Sequence, residues 1–173
     1  NRGEKLIMDH VVRYFGEPKD FEDYVYKSQL SQAYGMEIAI SAQRASRPRS
    51  MGSLYWQLND AWTSISWSSI DYLGNKKALH YKLDEIYAPI LLGLNDNGDD
   101  NYKLWISNDL QRDIDGRVRV IVEDMEGNQL YAFSETVDVK ANSCFNLSNL
   151  ININVIENKE SECYARIIFM EDD

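Results

Sequence analysis

Three of the chain's four tryptophans, Trp56, Trp62 and Trp67, fall within twelve residues of one another. They sit in Leu54-Tyr55-Trp56-Gln57-Leu58-Asn59-Asp60-Ala61-Trp62 and the following Ser66-Trp67-Ser68-Ser69-Ile70-Asp71-Tyr72. Indole faces beside amides, carboxylates and hydroxyls suit a sugar. The C–H face of a pyranose stacks on an aromatic ring while its hydroxyls hydrogen-bond to Asn, Asp and Gln. The same tryptophans would serve equally as filler for an apolar core or its lid, and composition does not choose between the two uses. Asp60 and Asp71 are candidate carboxylates, but acid/base work on a glycoside needs a second carboxylate on a neighbouring element. Hydrogen-bonding or structural roles fit them better. His10 and His80 are far apart in sequence, and packing or an interhelix hydrogen bond is the default for His80.

The elements that would position these residues are read from hydrophobic period. Ile7, Val11 and Tyr14 recur at helical spacing, and Gly16 followed by Pro18 ends that helix. Asp20 is placed to cap a second helix from Phe21 to about Arg44, with Tyr26, Leu30, Ala33, Met36 and Ile40 on its apolar face and Pro48 beyond its end. Gly52 to Asp60 is short and dense in apolar and aromatic residues, which predicts a strand buried on both faces. A last helix is predicted over 76–87, with Leu79, Leu83 and Ile86 on one side. Helix, buried strand, helix is the grammar of an α/β layer. One strand alone leaves its backbone groups unpaired, so the first ninety residues are expected to be part of a larger α/β domain.

After Pro89 the period changes from helical to alternating. Segments at Tyr102/Leu104/Ile106, Val118/Val120/Val122, Leu130 to Phe133, Val137/Val139, Ile151/Ile153/Val155 and Ala165/Ile167/Phe169 predict six or seven short strands and hence a β-sandwich. Arg117, Arg119 and Ile121 interleave with the valines, so one face of that sheet is expected to be wetter than the other. The Asn95–Asn101 stretch has oxygen atoms enough for Ca²⁺ but lacks the spacing of a calcium loop. A solvated hairpin is the plainer reading, and no metal site is assigned.

Composition narrows the partners. The 173 residues carry 28 acidic against 18 basic side chains, a net charge of −10, which repels phosphate backbones and anionic lipid surfaces. Neither nucleic acid nor membrane is expected as a partner, and no apolar run approaches the roughly 20 residues of a membrane helix. The opening Asn1-Arg2-Gly3-Glu4-Lys5 has neither an initiating Met nor a signal-peptide core, which is expected of a piece excised from a longer protein and leaves the compartment open. Cys144 and Cys163 could pair, but two reduced thiols on neighbouring strands are the simpler expectation.

Three motifs together carry a resemblance: Met51-Gly52-Ser53-Leu54-Tyr55-Trp56-Gln57-Leu58-Asn59-Asp60, Ser66-Trp67-Ser68-Ser69-Ile70-Asp71-Tyr72 and Lys77-Ala78-Leu79-His80-Tyr81. With Pro18-Lys19-Asp20-Phe21 and Ser28-Gln29 before them, they resemble the β-mannosidases of glycoside hydrolase family two. The resemblance covers about the first ninety residues; the rest is similar to the family's Ig-like carboxy-terminal domains only in kind. It implies an α+β fragment: residues 1–89 as the last helix-strand-helix part of a (β/α)8 barrel and 90–173 as an all-β immunoglobulin-like sandwich. Gly52 to Asn59 would be the eighth barrel strand, with Trp56, Asn59 and Asp60 lining the substrate pocket at its carboxyl end.

The implied activity is retaining, exo-acting hydrolysis of terminal β-D-mannose residues, without metal or organic cofactor, through two carboxylates about 5–5.5 Å apart. In the family both are glutamates on earlier strands. Neither context occurs here, so no catalytic residue is assigned and the chain alone is expected to be inactive. Its partners would be the β-mannoside substrate and the remainder of its own barrel. Thr63 stands where the family usually has Pro, and Asn75-Lys76 where it has an Arg-Trp pair, which bears on loop conformation and the outer subsite. Two alternatives stay open. One is another family-two β-glycosidase, acting on a galactoside, glucuronide or glucosaminide. The other is a carbohydrate-binding sandwich, for which Tyr102, Trp105 and Tyr131 are the candidate aromatics.

Overall fold

The computed structural model describes residues 2–96, 101–147, 151–152 and 162–172. Three helices come first: α1 (Arg2–Phe15), α2 (Phe21–Ala45) and α3 (Ala78–Ile86). Seven strands follow: β1 (Ile90–Asp96), β2 (Asn101–Asn108), β3 (Ile114–Asp124), β4 (Gln129–Val139), β5 (Ser143–Asn146), β6 (Ile151–Asn152) and β7 (Cys163–Glu171). The chain divides into two compact units, residues 1–43 with 52–88, and residues 44–51 with 89–173.

In the first unit the predicted helix signals act as expected. Gly16 adopts φ 75°, and its N–H reaches the Val12 carbonyl at 3.1 Å, closing α1 with a conformation that side chains with a Cβ avoid. Asp20 caps α2, its Oδ1 accepting the Asp23 N–H at 2.8 Å. Ile40 of α2 and Leu79, Leu83 and Ile86 of α3 form one buried cluster, with Met36 and Tyr55 packed on it. Tyr26, expected on the apolar face of α2, is exposed instead, as are Phe21, Val25 and Ile38.

Gly52 to Asp60 departs from expectation. It forms no strand among the described residues: the chain is extended and largely exposed, and Leu54, Trp56 and Leu58 all face solvent. The reason is the one the orphan strand raised, since no neighbouring strand exists in this unit to take its backbone hydrogen bonds. The segment is held by residues later in the chain. Asp60 N–H donates to the Ile70 carbonyl, and the N–H groups of Ser69 and Ile70 donate to the carbonyls of Gln57 and Leu58, at 2.9–3.1 Å. A single parallel bridge pairs Asn59 with Ile70.

The second unit is the predicted sandwich of two antiparallel sheets. One is ordered β1-β2-β5, with β6 pairing the start of β2; the other is ordered β4-β3-β7. Alternation sorts β3 as read from sequence at Ile114, Val118, Val120 and Val122, which are buried, and at Asp115, Arg117 and Arg119, which are exposed; Ile121, expected with the arginines on the wetter face, is buried instead. Leu104 and Ile106 of β2, the β3 residues Ile114, Val118 and Val120, and Val137 and Val139 of β4 make a continuous core with Leu147. The expected strands at Leu130–Phe133 and Val137/Val139 are one strand, β4, in register with β3 up to a bulge at Val122/Glu123. β1 and β5 carried no clear alternation and were not foreseen. Ile153 and Val155 and most of the Asn95–Asn101 turn lie outside the described residues. No disulfide joins Cys144 to Cys163, and they are not on neighbouring strands: β5 belongs to the first sheet and β7 to the second.

A buried amide and a half-buried carboxylate fix the end of this sandwich. Asn108 is fully buried; its Nδ2 donates to the carbonyls of Arg112, Val139 and Lys140 at 2.9–3.2 Å, and its Oδ1 accepts the Leu110 N–H at 2.9 Å. One side chain thus satisfies four backbone groups where β2 turns towards β3. Beside it, Asp109 Oδ1 receives both Arg44 at 3.2 Å and Arg47 at 2.7 Å, and Arg47 also donates to the Asn108 carbonyl. These charged contacts tie Arg44 and Arg47, of residues 44–51, to this unit. Burial lowers the Arg44 pKa and the Asp109 carboxylate opposes that shift.

Removing Asp109 leaves two buried guanidinium groups facing each other. Asp109→Ala is expected to destabilise the sandwich by about 3 kcal/mol, read from urea denaturation with m unchanged. Acid is expected to act through Glu123, Glu171 and Asp113. The Glu123 pKa is held down by the Arg166 hydrogen bond, that of Glu171 by Arg112, and that of Asp113 by the Ala141 N–H and then Lys140. Depressed carboxylates stabilise above their unfolded pKa, about 4, and lose that contribution as pH falls through the folded values. The melting temperature is expected to be flat from pH 7 to 5 and to drop below about pH 4, less steeply in Glu123→Gln.

Candidate functional site

Within the first unit, the aromatic stretch reads from its supports outward. Ser69 is fully buried and lies at a junction: its Oγ is 3.0 Å from the Leu58 carbonyl, 2.9 Å from the Tyr55 hydroxyl and 3.3 Å from His80 Nδ1. A hydroxyl has one proton to give. With that proton on the Leu58 carbonyl, Tyr55 donates to Ser69, and so does a His80 protonated at Nδ1. His80 of α3 thus meets a serine in the non-helical segment before α3, where an interhelix hydrogen bond was expected. This junction ties Tyr55 and Leu58 on either side of Trp56.

The second support lies one turn further along. Asp60 is buried, with 7% of its surface exposed, and both of its oxygens are engaged: Oδ1 accepts from Ser66 Oγ, and Oδ2 from Lys77 Nζ at 3.2 Å. The same ammonium donates to Ser68 Oγ at 2.8 Å and lies 3.4 Å from Ser66 Oγ, so its three protons meet three oxygens. The hydrogen bond from Ser66, then those from Ser68 and Lys77, hold the Asp60 carboxyl below the usual range, so it is ionised at neutral pH. Asp71 is used locally, its Oδ1 accepting the N–H groups of Leu73 and Asn75 and its Oδ2 the Asn75 side chain, a turn-closing role.

On the outer side of these supports stand the aromatics. Trp56 is 74% exposed, Trp62 71% and Trp67 60%. Gln32 of α2 donates to the Trp67 carbonyl at 2.8 Å, and Gln29 accepts the Ala78 N–H at the start of α3. Asn59 is exposed beside Trp56, its Nδ2 donating to the Asp60 carbonyl at 3.2 Å. The Trp56–Gln57 peptide is cis.

Of the three predicted site residues, the structure places Trp56 and Asn59 on the exposed side and turns Asp60 inward to Lys77. The arrangement can stack an apolar ring face on Trp56 and offer the Asn59 amide to a hydroxyl; no oxygen of Asp60 is left for the ligand. Lys77, Ser66, Ser68 and Ser69 were not singled out from the sequence as site residues. The alternation of serines around Trp67 was the available signal, with the serines buried or half-buried and Trp67 outside. Among the described residues no group of His, Cys, Asp and Glu could hold a metal ion. In the sandwich, Trp105 is only 2% exposed, with its indole against Gly93, where a Cβ would collide with the ring. Tyr102 and Tyr131 are half-buried. The three do not form a flat exposed row.

Comparison with known proteins agrees with both units. The family described as Mannosidase Ig/CBM-like domain matches residues 100–171. β-Mannosidase A of Aspergillus oryzae is 36% identical over 140 residues, which cover 74% of this chain and 15% of that protein. β-Mannosidase B of Aspergillus niger is 27% identical over 162 residues, 83% of this chain and 19% of that protein. The chain therefore spans less than a fifth of the length of these relatives. Among solved structures, the β-D-mannosidase of Dictyoglomus thermophilum superposes on the whole chain with a TM-score of 0.87 at 22% identity, over 21% of its own length. The exo-chitosanase CsxA of Amycolatopsis orientalis covers 97% of this chain at a TM-score of 0.75 and 20% identity, over 20% of its own length. From these findings together, residues 100–171 match the Mannosidase Ig/CBM-like domain family, and the chain as a whole is similar to one part of the β-mannosidases.

Proposed function

We propose that this chain is a segment of a retaining exo-β-mannosidase that releases terminal β-D-mannose from the non-reducing ends of β-mannosides. Residues 1–89 would be the end of its (β/α)8 catalytic barrel and residues 90–173 a supporting Ig-like sandwich. The observation that carries the reading is that Trp56 and Asn59 are both exposed on a segment that has no strand partner among the described residues. An eighth barrel strand taken without its neighbours would have that form, with its aromatic wall bare. Missing strands would take up the unpaired backbone and cover Leu54 and Leu58. Trp56 would stack under the terminal mannose and Asn59 would bond one of its hydroxyls. Asp60 supports them from behind.

The two carboxylates of the retaining mechanism lie outside this chain in that reading. One attacks the anomeric carbon to give a glycosyl-enzyme, and the other protonates the leaving oxygen and then activates water. A second reading, another β-glycosidase of the same family, is favoured by one observation: the fold is shared with CsxA, described both as an exo-chitosanase and as an exo-β-D-glucosaminidase, at a TM-score of 0.75. A carbohydrate-binding role for the sandwich is disfavoured by the burial of Trp105; retention of residues 90–173 on mannan in affinity electrophoresis would restore it.

Two assays test the proposal. The purified 173-residue chain should release no p-nitrophenol from p-nitrophenyl β-D-mannoside, and measurable release would place catalytic carboxylates within it. The full-length enzyme should cleave that substrate with retention, seen as the β-anomer first in the proton NMR spectrum, in preference to the gluco, galacto and glucosamine analogues. In it, Trp56→Ala is expected to lower kcat/KM by about 10- to 100-fold, the loss of about 1.4–2.8 kcal/mol of contact.

A further inference from the structure

We infer that Lys77 is a positioning residue for the sugar site, acting through Asp60, Ser66 and Ser68 on the loop that carries Asn59, Trp62 and Trp67; the inference rests on the function proposed above. The loop from Ala61 to Trp67 has no helix or strand. It is exposed except at Ser66, and it presents Trp62, Ile65 and Trp67 outward. A surface loop of that composition has little packing of its own to choose one conformation.

The base of the loop is built differently. Asp60 starts it and Ser66 and Ser68 end it, and all three converge on one ammonium that is itself largely buried, at 2.8–3.4 Å. Lys77 lies at the junction with α3, whose first N–H is taken by Gln29 of α2. The loop base is thereby anchored to the packed helices of this unit. A compact ammonium suits three oxygens that differ in direction, where a planar guanidinium would not.

The Lys77 ammonium and the Asp60 carboxylate are largely buried and engaged with each other and with the two serines, so their influence on a ligand would be indirect. Asn59 is bonded to the Asp60 carbonyl, and Trp62 follows two residues later. If the ion pair is broken, the carboxylate is left buried without its cation, and it gains water only by moving the loop. Misplacement of binding groups by about 1 Å can weaken a site by on the order of 100-fold. The effect should fall on substrate affinity, because the catalytic carboxylates are elsewhere.

The test is made in the full-length enzyme, with Lys77→Met, Lys77→Arg and Ser68→Ala compared on p-nitrophenyl β-D-mannoside and on a β-mannosyl disaccharide. For Lys77→Met, KM is expected to rise about tenfold while kcat per folded enzyme changes less than about threefold. Lys77→Arg, which keeps charge and donors, should recover part of the loss, and Ser68→Ala should shift KM in the same direction by a smaller factor. Ser68→Ala also serves as the deciding variant if Lys77→Met does not fold. Unchanged KM in Ser68→Ala and in any folded Lys77 variant, with only a lowered melting temperature, would overturn the inference and leave Lys77 purely structural. An enzyme that prefers another β-glycoside would overturn the mannoside reading alone, and the same comparison on that glycoside would still decide Lys77.

Discussion

Every backbone N–H and C=O that leaves water needs a partner, and this demand is met in two ways in the chain. In the sandwich the strands satisfy one another, with β3 paired along its length to β4 on one side and β7 on the other. In the first unit the extended segment before Asp60 has no strand beside it, so isolated backbone contacts to Ser69 and Ile70 and a few buried side chains take over. Ser69 and the Lys77–Asp60 pair are polar groups in places that apolar packing could not fill, because the atoms they meet are carbonyls, hydroxyls and a carboxylate. The shape of the aromatic stretch follows from where those partners lie.

The division of labour at that stretch is between residues that hold and residues that are offered. Serines 66, 68 and 69, Tyr55, Asp60, Lys77 and His80 face inward and use their polar atoms on each other or on backbone. Trp56, Asn59, Trp62 and Trp67 face out. Within a few residues the bending chain separates a buried polar scaffold from an exposed aromatic surface. A carboxylate that looks like a ligand-binding group in sequence becomes part of the scaffold when a lysine seventeen positions later is folded against it.

The second unit shows the same economy with charge. Asp109 accepts two arginines, Arg44 in the last turn of α2 and Arg47 just beyond it, and residues 44–51 belong to the same unit as the sandwich. Apolar periodicity could not reveal it, since the contact is between three charged groups more than sixty residues apart. Asn108, next to it, closes the turn between the sheets with four hydrogen bonds from one amide. Both are legible only as pairs, and pairs distant in sequence leave no local signal.

What the amino-acid sequence determined by itself is what depends on near neighbours. The helices over 2–15, 21–45 and 78–86 follow from period and capping, Asp20 and Gly16 acting where their types predict. The valines of β3 declare their buried face by alternation. The motifs around Trp56 were enough to point to the family. The tertiary structure decided what depends on distant partners. It left Gly52–Asp60 extended but unpaired, because a strand exists only if another lies about 5 Å away. It buried Trp105 against Gly93 and exposed Trp56, although both are tryptophans in apolar surroundings. It turned Asp60 inward because the cation that neutralises it, Lys77, arrives only with the fold, and a buried carboxylate goes where its charge is met.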